Sequence, residues 1–130
     1  MGRPREGQDR VDWLQATYDR IVHSLMRQGC GSYVSGTYFG AIECVYRGPD
    51  GTKCAAGFLI PDSVDVYERE SIRNLHARGV FGDVDLYLLM EMQRAHDFAS
   101  QDALYGGDFR ACFSKYARDA AKRFGLEARV

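Results

Sequence analysis

Gln93, His96 and Asp97 stand three and four residues apart, a spacing that gathers all three on one face of a helix. An imidazole beside a carboxylate can move a proton or grip a ligand, and an amide one turn away can hold it in place. Catalysis would also require a nucleophile or a second titrating group within hydrogen-bond reach. The sequence signals neither, so no residue is assigned as catalytic and the trio is a candidate for binding. The competing reading places His96 on the apolar stripe that runs through Leu89 and Met92, as a half-buried histidine satisfied by a hydrogen bond.

Cys30, Cys44, Cys54 and Cys112 are the four cysteines. Cys44 and Cys54 could join Cys112 or a histidine around zinc, but structural zinc sites place cysteines about two to four residues apart on a knuckle. No metal is therefore expected, and the thiols read as small buried hydrophobes. A nucleophilic cysteine would need a paired histidine, and none is signalled. The sequence contains no Walker loop, dinucleotide fingerprint, HExxH or GxSxG string, so no cofactor is expected.

Charged clusters supply the remaining candidates. Arg47, Asp50 and Lys53 crowd a Gly-Pro-Asp-Gly turn, where they form either an anion-gripping or partner-docking edge or simply a solvated tip. Lys115, Arg118 and Lys122 make a basic face opposite an apolar one, a surface for nucleic acid or an acidic protein or an ordinary solvent face. Glu68, Glu70, Asp83 and Asp85 read more simply as helix-start carboxylates.

With 130 residues, 45% hydrophobic and 27% charged, the composition is that of one ordinary globular domain. Residues 1–8 read as a flexible arm and 9–130 as a single α+β domain. A net charge of −1 gives no reason to expect general nucleic-acid binding. The polar start and the absence of a bilayer-length apolar run predict a cytoplasmic protein without a membrane partner, its cysteines reduced.

The elements that must position these groups begin with a hairpin. Pro49, Asp50 and Gly51 suit a type I turn closed by a glycine bulge, joining strands over 41–47 and 52–60. In that register Ile42, Cys44, Tyr46, Cys54, Ala56, Phe58 and Ile60 form an apolar face, and Glu43, Val45, Arg47, Lys53, Ala55, Gly57 and Leu59 a mixed one. Residues 33–38 suit either a third strand or a glycine-broken loop. Apolar spacing predicts helices over 10–28, 68–78, 84–99 and 108–124, with Asp9 or Asp12, Asp83 and Asp108 as caps and Gly29 and Gly125 as stops. The third is the most apolar and the expected central helix. The predicted class is thus α+β, a small antiparallel sheet packed by about four helices.

The segment running from Cys44-Val45-Tyr46-Arg47-Gly48-Pro49-Asp50-Gly51-Thr52-Lys53-Cys54-Ala55 to Leu59-Ile60-Pro61-Asp62, with the later Met92-Gln93-Arg94-Ala95-His96-Asp97, resembles a family of short proteins encoded by phages, prophages and bacteria. That family carries a similar C-x-YRGPDG-x-KCA-x-G-x-LIPD stretch and a later Leu-Gln-x-x-His-Asp helix. Here Met92 stands at the leucine position and Phe58 where a second cysteine is common. The resemblance implies a phage-type accessory protein in a bacterial host cytoplasm. Such a protein is expected to bind stoichiometrically to a bacterial defence protein or complex such as CRISPR–Cas, in the manner of an anti-CRISPR inhibitor. The alternatives are sequestration of a nucleotide signal, with Arg47 and Lys53 on the phosphate and tyrosines on the base, and a small enzyme using His96 and Asp97.

Overall fold

A single stripe spaced three and four residues apart, Leu14, Tyr18, Ile21, Val22 and Leu25, is buried along helix α1 (Gly7–Gln28), as an amphipathic helix requires. Gly29 closes it in the left-handed region at φ 74°, its amide returning to the Leu25 carbonyl. The start differs from the one predicted. In the computed structural model, which describes residues 6–35 and 42–130, the helix is capped by the extended backbone of Glu6, not by Asp9 or Asp12. Residues 7 and 8, assigned to the arm, are therefore helical. Asp9 within the first turn complements the helix dipole, and Gln8 Nε2 donates to Asp12 Oδ1 at 2.7 Å. The rest of the predicted arm, 1–5, lies outside the described residues.

The fold is α+β, with four α-helices and one two-stranded antiparallel sheet. Its strands are not the ones predicted. β1 (Tyr33–Ser35) pairs with β2 (Ile42–Cys44), Tyr33 opposite Cys44 and Ser35 opposite Ile42. The segment with two readings is thus a strand over its first three residues; 36–38 and 41 fall outside the described residues. The strand predicted over 52–60 does not form. The expected register survives only beside the turn, where Arg47 bridges Lys53 and the Gly48 amide donates to the Thr52 carbonyl at 2.8 Å. The turn itself is a 3-10 turn, Pro49–Gly51, with Asp50 at φ 58° and Gly51 at φ 75°. Asp50 therefore takes the left-handed conformation that aspartate tolerates better than most residues.

Past Lys53 the chain coils. The Phe58 amide donates to the Cys54 carbonyl, the Leu59 amide to that of Ala56, and Gly57–Leu59 completes a 3-10 turn. Ala55, Ala56 and Gly57 offer a pleated surface little to pack with, so tertiary enclosure wins over alternation. Val45, Ala55, Gly57 and Leu59, assigned to the mixed face, are buried together with Tyr46, Cys54, Ala56 and Ile60. Side chains take over the role of the missing ladder. Gln28 uses both ends of its amide on Lys53, accepting from its N–H and donating to its carbonyl, each at 2.9 Å. The Glu68 carboxylate accepts the amides of Tyr46 and Arg47 at 2.7 and 3.2 Å.

Helix α2 (Ile72–Ala77) is shorter than the 68–78 predicted, because Ser71 caps it through the Asn74 amide and Glu68 is committed to the loop. Helix α3 (Leu86–Leu104) is capped by Asp85 on the Leu88 amide, not by Asp83, and runs past 99 to Leu104. Ser100 sits inside it, its hydroxyl donating to the His96 carbonyl at 2.9 Å. Helix α4 (Phe109–Phe124) has the predicted Asp108 cap and Gly125 stop. α3 is central as expected: Leu88, Leu89, Met92, Ala95 and Ala99 lie in one core with Tyr18, Leu25, Phe109 and Phe113. Trp13 packs at the margin, its indole N–H donating to the Asp83 carbonyl at 3.0 Å. No helix among the described residues is long and apolar enough to cross a membrane.

A Cβ built on Gly57 would lie 2.2 Å from the Tyr46 carbonyl oxygen and 3.2 Å from Lys53 Cβ. Gly57→Ala should therefore destabilise the fold by about 3 kcal/mol, read as a fall in the urea midpoint at unchanged slope. An unchanged midpoint would contradict the close packing of this coil on Tyr46.

Candidate functional site

One turn of α3 carries the groups that meet the irregular middle of the chain. His96 is fully buried. Its Nε2 accepts the Ser32 backbone N–H at 3.0 Å, which requires the ring proton to sit on Nδ1. That proton points to Asp97 Oδ1, 2.9 Å away. Gln93 repeats the arrangement one turn earlier: Oε1 accepts the Ala56 amide at 2.9 Å, and Nε2 donates to the same Asp97 oxygen at 2.8 Å. The rings of Phe109 and His96 meet in a T-shaped contact, 6.1 Å between centroids. Among the described residues, no buried side-chain nitrogen or oxygen lacks a hydrogen-bond partner.

Cys44 completes the cluster. It is half-buried, not a core residue as expected, because β2 pairs with β1 and leaves Cys44 beside α3. Ligand atoms of Cys44, His96 and Asp97 all lie within 4.8 Å of one another. This is the set from which a metal site or a thiol–imidazole pair would be built. The hydrogen bonds work against both. A metal on Nδ1 would move the ring proton to Nε2 and set it against the Ser32 N–H, two donors face to face. The Cys44 thiol is pushed well up, first by burial and then by the Asp97 charge to which it hydrogen-bonds, the reverse of an activated nucleophile. Burial also raises the Cys54 thiol to about 12, against which the Gly57 amide acts weakly, donating to Sγ at 3.4 Å.

The turn residues do not act together. Arg47 turns away, its Nη2 donating to the carbonyls of Pro61 and Val64 at 3.0 and 2.8 Å. Lys53 pairs with Asp62 at 3.0 Å, and this bond holds the Asp62 carboxyl below its ordinary value. Asp50 lines an open cleft of about 670 Å³ with His23, Arg27 and Cys30. A phosphate site built on Arg47 and Lys53 would have to break these bonds. Lys115, Arg118 and Lys122 are all exposed, the disposition of a solvent face.

Sequence reasoning found Gln93, His96 and Asp97 but not what they hold, since Ser32 and Ala56 contribute backbone amides. It also missed Gln28 and Glu68, for which spacing carries no signal. A second missed feature is the groove between α2 and α3, lined by Ile72, Arg73, Met90, Arg94, Asp97 and Phe98. Phe98 is 47% exposed despite its size, and its ring packs against Tyr116 at 5.5 Å.

Two outcomes are expected. His96→Ala strands the Ser32 amide and opens a hole in the core, so chemical denaturation should report a loss of about 3 kcal/mol. In native protein at neutral pH, iodoacetamide should label the exposed Cys30 while Cys44 and Cys54 resist until the chain unfolds; rapid native alkylation of Cys44 would reinstate it as a nucleophile. No protein family, curated protein or solved structure was found to match the chain.

Proposed function

We propose that the chain is a small accessory protein that acts by stoichiometric binding, and that its partner is a component of a bacterial defence system such as CRISPR–Cas. The observation that carries binding over catalysis is the engagement of His96 at both ring nitrogens, by the Ser32 amide and by Asp97. A general base needs a free nitrogen facing a substrate, and here both belong to the fold. The choice of partner rests on the resemblance of residues 44–62 and 92–97 to short phage, prophage and bacterial proteins.

The surface supports the same reading. Tyr67, Tyr87 and Tyr105 are 82%, 62% and 72% exposed, and Leu104 lies beside Tyr105. Exposed tyrosines of this kind supply the rigid, amphipathic anchors around which protein interfaces form.

The test is co-purification of the tagged chain with defence components from a bacterium under phage infection, followed by sizing of the isolated pair. A stable complex of fixed stoichiometry is expected, weakened by Tyr67→Ala or Tyr87→Ala at unchanged melting temperature. Suppression of defence at far substoichiometric amounts, with no complex recovered, would replace binding by turnover.

A further inference from the structure

The groove between α2 and α3 is open to solvent and has a volume of about 540 Å³, within the range of small-molecule sites. Ile72, Met90 and Phe98 give it apolar walls. Each helix contributes one guanidinium, Arg73 from α2 and Arg94 from α3. Arg73 is exposed and has no hydrogen-bond or ion-pair partner among the described residues. Arg94 reaches Glu91 only at 3.7 Å, and Glu91 is held more closely by Arg123. The Arg94 guanidinium lies over the Phe98 ring, 5.8 Å from its centroid.

At the inner end the groove joins a smaller cavity of about 190 Å³, with Ile72, Gln93 and Asp97 lining both. The Asp97 side chain is 42% exposed there. Its Oδ1 takes the His96 and Gln93 donors, and a carboxylate with about four lone-pair sites keeps acceptor capacity beyond these and the Cys44 thiol. The groove thus presents a carboxylate acceptor inside, an aromatic and aliphatic slot in the middle, and two weakly committed guanidinium groups at its sides.

We propose that this groove binds a purine nucleoside monophosphate. The base lies in the apolar slot between Ile72, Met90 and Phe98, its exocyclic amine donates to Asp97, and its phosphate is held by Arg73 and Arg94, whose planar forks match phosphate oxygens. An acidic peptide would satisfy the arginines but leave the slot and the inner carboxylate without complement. The site goes beyond the proposed protein partner and does not depend on it.

Isothermal titration of the full chain with AMP and with GMP tests the assignment. One site is expected for at least one of them, with adenosine or guanosine at least about tenfold weaker than its monophosphate. Arg73→Ala should weaken the monophosphate by about tenfold and leave the nucleoside unchanged, Phe98→Ala should weaken both, and Lys122→Ala neither. Absence of binding by both nucleotides at about 1 mM, or binding indifferent to Arg73→Ala and Phe98→Ala, would overturn the proposal. So would a glutamate-rich peptide or a single-stranded oligonucleotide that binds the groove more tightly than either mononucleotide.

Discussion

Two backbone amides, those of Ser32 and Ala56, are held by two side chains on one turn of α3, and the middle of the chain depends on that hold. Between Cys30 and Asp62 the described residues contain two three-residue strands, the Arg47–Lys53 bridge and two 3-10 turns, yet Ser32, Cys54, Ala55 and Ala56 are buried to 1% exposure or less. Burying irregular backbone is costly unless each amide and carbonyl finds a partner. His96 and Gln93 provide acceptors, and Asp97 fixes both of them in the orientation needed. The serine side chain adds to the hold, donating to the Val45 carbonyl at 2.9 Å.

Glutamine recurs among the side chains that pair with backbone outside the strands. Gln28 meets both backbone groups of Lys53, and Gln15 meets both of Glu127, accepting its N–H and donating to its carbonyl at 2.9 Å. A primary amide carries one acceptor and two donors, so it can stand in for a neighbouring peptide group while being projected from a helix. Three glutamines on α1 and α3 thereby bind the loop and the C-terminal segment to the helical body. The fold needs little sheet because its helices supply the groups that a sheet would have supplied.

The helices were legible because their information is local. The apolar stripe of α1, the Asp108 cap and the stops at Gly29 and Gly125 each act within a turn of chain and were read correctly. The predicted 52–60 strand failed for the opposite reason. The alternation over Tyr46 and Cys54 exists in the sequence but not in the burial, because Ala55, Ala56 and Gly57 are small enough to be enclosed on every side, and enclosure depends on α3, far away in sequence. The same distance hid the role of the Gln-x-x-His-Asp turn: its residues were identifiable, whereas their partners are amides, which every residue except proline possesses. The groove beside Phe98 was illegible because it arises from where the six-residue α2 ends up, and short helices are set by tertiary context more than by pattern.

The hold on Ser32 and Ala56 also bears on how the molecule is assembled. The bonds join residues 64 and 37 positions apart, so each closes a long loop and must offset the entropy of doing so. Gln93, His96 and Asp97 become a set only when α3 is already helical, because in an extended chain they do not share a face. The hold on Ser32 and Ala56 therefore requires α3 to be helical. The amides of Ser32 and Ala56 are thus held by a surface that exists only while this turn of α3 is helical.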